Sequence, residues 1–260
     1  MIIVADNIHI VNPLVEKAIK EMDPSPIQDL ARRCEDAGAN IIDINPGPLS
    51  RDGDKKMVFL VEAVQEVTNL RLCLDTNNPK ALEAGLKACR IKPIINGFSL
   101  ELKKLDQILP LAVDFQTDIV GFLLFSNGQV PPDSAGRLDV ALKLMEKTKK
   151  GGLSLEKLII DPVLVPIIWK DGTYQAKEVL STLKLLPELL GFPVRTIVGL
   201  SNLTSGSSCR EKSLLLEEVY LSMLAESGLD MVLLNVFHKR TLDAINICDC
   251  ITNSRIFSWV

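Results

Sequence analysis

A single-domain (β/α)8 barrel, of the α/β class, is the fold predicted by the 260-residue sequence. Two observations carry that prediction. Short, almost wholly apolar segments alternate with amphipathic ones along the whole chain, eight pairs in all. Strands of this kind belong to a parallel sheet covered by helices on both faces. Eight such units in about 250 residues is the count at which a parallel sheet closes on itself. A third observation weighs against a doubly wound open sheet, because no glycine-rich dinucleotide turn follows the first strand. No linker or low-complexity tract divides residues 1–260, so they read as one domain.

The elements follow in order. The first strand is MIIVADN, residues 1–7. The first helix spans 26–39, with Ile27, Leu30, Ala31 and Cys34 at helical spacing and Gly38 as its stop. The strand NIIDIN at 40–45 leads to a helix over 55–68, then to the strand LRLCLDT at 70–76. The helix over 79–89 opens on Pro79, which suits a first helical turn. KPIING at 92–97 is the next strand, followed by a helix over 102–113 with a late proline. The strand DIVGFLLF at 118–125 precedes an amphipathic helix over 137–150. LEKLIIDP at 155–162 is followed by a helix over 175–190, and RTIVGLSN at 195–202 by one over 210–228. The strand DMVLLN at 230–235 and a helix over 240–251 complete the eighth unit.

Composition narrows the function. Hydrophobic residues make up 47% and charged residues 24%, as in ordinary globular proteins. Aromatics are only 5%, so the core must rest on Leu, Ile, Val and Ala. The net charge of -4, with Lys and Arg scattered, leaves no electrostatic footprint for nucleic acid. No apolar run has the length of a membrane span, and MIIVADN lacks the basic start of a secretory signal, so a cytoplasmic location is expected. The six cysteines form no C-x-x-C pair and read mostly as buried thiols. With only His9 and His238, a His-rich metal site is excluded and no bound metal is expected. A Ser-His-Asp triad would have to use one of these two.

In a barrel of this kind the active site lies at the C-terminal ends of the strands. That rule selects Asp6 and Asn7, Asp43 and Asn45, Asp75, Thr76 and Asn77, and Asn96. It also selects Phe125, Ser126 and Asn127, then Asp161, Ser201 and Asn202, and Asn235. The collection holds carboxylates and carboxamides, with almost no Lys or Arg and no obvious nucleophile. A phosphate ligand would want cations or a glycine nest. Carboxylates beside carboxamides suit a neutral heterocycle rich in donors and acceptors. A pterin is such a ring, because its aminopyrimidinone edge offers adjacent N–H donors to one carboxylate. The competing explanation is local: Asp and Asn after a strand often cap the next helix, and Asn77 or Asn78 before Pro79 is a good instance. Asp75 and Asp161 resist it, since each ends an apolar strand directly.

The segments GANIIDINPGP, LCLDTNNPKALEAGLKAC, PIINGFSLE, LEKLIIDPVLVP and VGLSNLTSG together resemble the methyltetrahydrofolate:corrinoid methyltransferases. That family belongs to the pterin-binding barrels, with dihydropteroate synthase and the folate module of cobalamin-dependent methionine synthase. The likeness runs in order along nearly the whole chain. It implies that Asp75, Asn96 and Asp161 hydrogen-bond the pterin ring. It implies that Asn202 approaches the nitrogen bearing the methyl group, that Asp43 and Asn45 line the same pocket, and that Ser201 accompanies Asn202. Asn202 and Asp161 are the expected catalytic pair.

The implied substrates are tetrahydrofolate or methyltetrahydrofolate and a corrinoid (cobalamin) carried on a separate protein, with no bound metal of the chain's own. Neither histidine lies in an Asp-x-His-x-x-Gly corrinoid pattern, and no second domain to hold the corrinoid is expected within residues 1–260. The loops PGPLSRDGDKK and VPIIWKDGTYQ, the latter with Trp169 and Tyr174, are candidate contacts for that partner. Resemblance also implies a homodimer. Two departures stand out. Asp6 and Asn7 replace a longer acid and a cation of the family pattern, and Ser205 stands where a glutamine is expected. Dihydropteroate synthase is the alternative of the same fold, which would need a cationic site from Lys170, Arg210 or Lys239. A non-catalytic folate-binding subunit is the alternative of a different class, and a metal-dependent hydrolase is disfavoured by the missing histidines.

Overall fold

In the computed structural model, which describes residues 1–47, 49 and 52–252, eight parallel strands close into a barrel in chain order. They are β1 (Ile2–His9), β2 (Ile41–Asn45), β3 (Arg71–Leu74), β4 (Ile94–Phe98), β5 (Asp118–Phe122), β6 (Leu158–Asp161), β7 (Arg195–Gly199) and β8 (Met231–Leu234). The barrel closes where β1 pairs with β8, Ile2 opposite Met231 and Ala5 opposite Leu234. The described helices are α1 (Pro13–Glu21), α2 (Ser25–Asp36), α3 (Gly53–Gln65), α4 (Pro79–Ala88), α5 (Leu102–Gln107), α6 (Leu109–Phe115), α7 (Ser134–Lys150), α8 (Gly172–Leu190), α9 (Arg210–Glu226) and α10 (Lys239–Thr252). None is long and apolar enough to cross a membrane.

Side chains alternate across each strand, so every strand serves two cores. Its outward residues, such as Ala5, Ile42, Leu74 and Val198, pack on the helices in one large apolar cluster. Its inward residues fill the barrel. Val4, Ile41, Cys73 and Ile94 from the first four strands join Val120, Ile159, Ile197 and Met231 from the last four in one layer. All eight are at most 5% exposed. This is a packed apolar floor, and it fixes which residue of each strand points inward next. At the opposite, N-terminal end, Asp118 of β5 takes Arg71 of β3 at 2.8 Å and Arg195 of β7 at 3.0 Å. The two guanidinium groups hold its carboxyl below the usual range despite partial burial.

Five features differ from the sequence expectation; two are the strands expected over 155–162 and 195–202, which are shorter because Leu155–Lys157 and Leu200–Thr204 are 3-10 turns. Helix α1 was not expected, yet Asn12 caps it by accepting the Leu14 N–H at 3.1 Å, with proline in its first turn. The helix expected over 102–113 is two helices, α5 and α6, which meet at Ile108. Pro110 sits in the first turn of α6, where its missing N–H costs least. Strand β5 ends at Phe122 rather than Phe125, because its partner β6 ends at Asp161 opposite Phe122.

Candidate functional site

The strand period of two builds the site. Two residues beyond the apolar layer, each strand end turns its next side chain inward. From β1 to β4 these are Asp6, Asp43, Asp75 and Asn96; from β5 to β8 they are Phe122, Asp161, Gly199 and Leu233. All eight line one cavity of about 470 Å³ at the C-terminal mouth of the barrel. A polar ring thus sits directly on an apolar floor. Register shifts in β1 and β4 fall beside it, between Ala5 and Ile8 and between Asn96 and Phe98. Such shifts re-aim side chains at sheet rims. A contiguous depression of about 490 Å³ shares Asn45 and Asp75 and continues to Thr76 and Asn77. Both volumes lie in the range of small-molecule sites. A larger groove of about 580 Å³ runs between α9 and α10, away from the strand ends, with Val219, Ala225, Ile247 and Ile251 in its lining.

The ring's carboxylates are each held by a neighbour. Asn45 Nδ2 donates to Asp75 Oδ2 at 2.6 Å, and Asn45 Oδ1 accepts the Gly47 N–H at 3.0 Å. Asn96 Nδ2 donates to Asp43 Oδ1 at 3.2 Å, and the buried Cys73 thiol donates to the same carboxylate. The Val163 N–H donates to Asp161 Oδ1 at 2.8 Å, and Ser201 Oγ donates to Asp6 Oδ2 at 3.3 Å. Orientation is therefore set before any ligand arrives.

Burial raises all four acids. Asp161 is pushed up to about 7, with the Val163 N–H and the positive charge of Arg137 opposing. Asp75 is pushed up to about 6, opposed by Lys104 and the Asn45 amide. Asp6 also reaches about 6, where Ser201 opposes burial and Glu217 adds to it. Asp43 lies well above its ordinary value, through burial first and the nearby Asp75 charge second. The site thus holds carboxyls that are proton donors or acceptors near neutrality.

Asn202 is placed by a glycine. It lies in the short 3-10 turn Leu200–Thr204 that follows β7. A Cβ on Gly199 would stand 3.0 Å from Asn202 Nδ2, so the empty position in the ring is the space over which the carboxamide lies. Thr204 Oγ1 hydrogen-bonds the buried Glu217 of α9, and Ser205 Oγ donates to the Ser201 carbonyl at 3.2 Å. These bonds pin the turn. Cys209, at the N-cap position of α9, makes no side-chain cap.

The structure brings Asp43, Asn45, Asp75, Asn96, Asp161, Ser201 and Asn202 to this one cavity, with Asp6 and Ser205. It does not bring Asn7 or Asn235. Asn7 lies one residue out of phase; its Nδ2 donates to Asn235 Oδ1 at 2.8 Å and its Oδ1 accepts the Val236 N–H at 3.1 Å, tying β1 to the turn after β8. Phe125, Ser126 and Asn127 lie past the end of β5, and Asn127 Oδ1 accepts the Gln129 N–H instead. Asn78 is the cap of α4, accepting from Lys80 and Ala81.

Sequence reading missed Phe122, Leu233 and His9, all of which line the cavity. The two-residue step from the apolar layer would have found Phe122 and Leu233. Among the described residues no Lys or Arg lines the cavity, and Lys239 is paired with Asp243 at 2.8 Å. Trp169 and Tyr174 are 53% and 51% exposed on the segment after β6. In the other candidate contact loop, Pro48, Ser50 and Arg51 lie outside the described residues.

Residues 12–235 match the pterin binding enzyme family. The chain is 24% identical over 255 residues to a methylcorrinoid:tetrahydrofolate methyltransferase of Eubacterium limosum, covering 96% of this chain and 91% of that protein. It is 22% identical over 219 residues to the methionine synthase of Mycobacterium tuberculosis, covering 80% of this chain but only 18% of that longer protein. Among solved structures, dihydropteroate synthase from Xanthomonas albilineans in complex with 7,8-dihydropteroate superposes with a TM-score of 0.72 at 18% identity, over 96% of this chain and 93% of that one. The Yersinia pestis dihydropteroate synthase with a sulfonamide drug gives 0.71 at 17% identity, over 97% and 94%. At these identities the two solved structures speak for the barrel alone.

Proposed function

This chain belongs to the pterin binding enzyme family, and we propose that within it the protein moves a methyl group between a folate nitrogen and the cobalt of a corrinoid carried on a separate protein. One observation carries the reading: the ring of Asp43, Asp75, Asn96 and Asp161 at the barrel mouth, with Asn202 over it and, among the described residues, no Lys or Arg in the lining. The whole-length likeness to the methylcorrinoid:tetrahydrofolate methyltransferase of Eubacterium limosum supports it. Among the described residues the lining offers no Lys or Arg for the pyrophosphate chemistry of a dihydropteroate synthase.

In this reading the pterin edge donates to Asp75 and Asp161 and is flanked by Asn96, with Asp43 and Asn45 fixing those groups behind it. Folate is the methyl donor or acceptor, and the corrinoid supplies the other partner in the transfer. A tertiary amine leaves poorly, so its nitrogen needs a hydrogen bond as the carbon–nitrogen bond breaks. Asn202 supplies it, with the Asp161 carboxylate close by in the same cavity. Such a preorganised donor costs no rearrangement at the moment of reaction.

The corrinoid protein docks over the open mouth, against the exposed Ile168, Trp169 and Tyr174. The chain works in the cytoplasm as a homodimer, for which the exposed Leu215, Val219 and Met223 of α9, with Ile247 and Ile251 of α10, supply an apolar face. Mixing the protein with methyltetrahydrofolate and a reduced corrinoid protein, and with tetrahydrofolate and a methylated one, tests the activity by the cobalt absorption spectrum. Folate binding without a spectral change in either mixture identifies a binding subunit instead.

A further inference from the structure

The guanidinium of Arg137 is a buried cation that the proposed reaction does not use. It sits on α7 with Val140, Ala141 and Leu144, on the apolar face, and is 0% exposed. Its Nε donates to the Pro162 carbonyl at 2.9 Å and its Nη2 to Gln175 Oε1 of α8 at 3.1 Å. Its Nη1 is buried with no hydrogen-bond partner. Among the described residues no carboxylate is close enough to pair with it. A core arginine without an ion pair is expensive, and a methionine or leucine would fill the same space.

What Arg137 grips explains its presence. Pro162 follows Asp161, and Val163 follows Pro162. Val163 has φ of +62°, a conformation that a β-branched residue rarely adopts. Its N–H is the donor that holds Asp161 Oδ1. Residues 161–163 thus form a hook. Its carbonyl is fastened from behind by Arg137, its amide is turned back onto the Asp161 side chain, and Asp161 Oδ2 is left for the cavity.

We infer that Arg137 is a positioning residue, which fastens this hook through the Pro162 carbonyl so that Asp161 presents its second oxygen to the pterin edge. The inference rests on the reading of Asp161 as a pterin ligand. The charge adds to the geometry. Arg137 faces Glu178 of α8, Tyr220 of α9, Asp133 before α7, and Asp161. Toward Asp161 it favours the ionised form, against the burial that raises that group to about 7. The accepting carboxylate is therefore kept available at neutral pH.

The test measures methyltetrahydrofolate Kd by calorimetry from pH 6 to 8.5, and hydrogen exchange at the Val163 amide, in wild type, R137M, R137K, D161N and R137M/D161N. R137M is expected to weaken binding roughly 10-fold at pH 7.5, within the usual range for coupled neighbours. It should move the midpoint of the pH–affinity curve upward and speed Val163 exchange. In the D161N background R137M should change Kd little, since its effect runs through that carboxylate. R137K keeps the charge but loses the planar fork, and should restore the midpoint more than the exchange.

Equal losses from R137M in both backgrounds, or unchanged Val163 exchange, overturn the inference and leave Arg137 as core filling. Unchanged affinity in D161N alone removes the ligand reading and the positioning role with it. Faster Val163 exchange in R137M would then mark a hook of structural purpose only. If R137M does not fold, Q175L, which frees Nη2 alone, replaces it with the same expected directions.

Discussion

Replacing Asp161 by asparagine should make the protein more stable above neutral pH while impairing its ligand site. Asparagine keeps the carbonyl oxygen that accepts the Val163 N–H at 2.8 Å, so the hook survives. What disappears is an ionisable group whose native value is raised from 3.8 to about 7. With the folded value above the unfolded one, the native state binds the extra proton between these values, and stability falls as pH rises through them. About three units at about 1.4 kcal/mol each give ~4 kcal/mol as the full cost above pH 7, net of the favourable Arg137 charge. Asp161 is partly exposed, and screening reduces the working figure to about 2 kcal/mol.

For a chain of this size that corresponds to a Tm gain of roughly 4–8 °C. Thermal unfolding followed by circular dichroism from pH 4 to 8.5 reads it. The variant and wild type should coincide near pH 4, diverge progressively between about pH 4 and 7 with the variant higher, and keep a constant gap above that. A variant less stable than wild type at pH 8, or offset by the same amount at every pH, refutes the reasoning.

Three further outcomes follow from the same geometry. Asn202→Ala should lower the methyl-transfer rate about 100-fold, the scale of one transition-state hydrogen bond of roughly 3 kcal/mol, with a smaller change in folate Kd; single-turnover kinetics beside calorimetry separates the two. Gly199→Ala puts a Cβ 3.0 Å from Asn202 Nδ2, so the same rate should fall several-fold while circular dichroism shows the barrel intact. Affinity for methyltetrahydrofolate should drop as pH falls from 8 to 5.5, because Asp161 and Asp75, raised to about 7 and about 6, take up protons and cease to accept; a flat Kd over that range removes both acids from the pterin edge.

The barrel was legible because its strands are apolar on both faces and its helices are not. The candidate site was legible for a related reason. Asp43, Asp75, Asn96 and Asp161 are polar residues in phase with the inward apolar layer, and nothing but a ligand or a hydrogen-bond network holds polar groups there. The same logic, applied without the phase, misled at Asn7. It stands one residue out of step, and its amide is spent on Asn235 and the Val236 N–H. Phe122 was hidden because LLF continues the apolar run past the point where β6 can pair. Arg137 was hidden because an arginine near a helix start reads as a solvated charge. Its place on the face of Val140 and Leu144 was the available signal. Helix α1 was hidden because Val11 and Leu14 are exposed, which blurs the helical stripe that Asn12 and Pro13 announce.

The most direct test of the account is a single-turnover mixture of the wild-type protein, methyltetrahydrofolate and a reduced corrinoid protein, watched in the cobalt absorption bands. Rapid loss of the reduced-corrinoid spectrum is expected, in proportion to folate, with a loss about 100-fold slower for Asn202→Ala. Full folate binding with no spectral change, forward or from the methylated corrinoid with tetrahydrofolate, would contradict it.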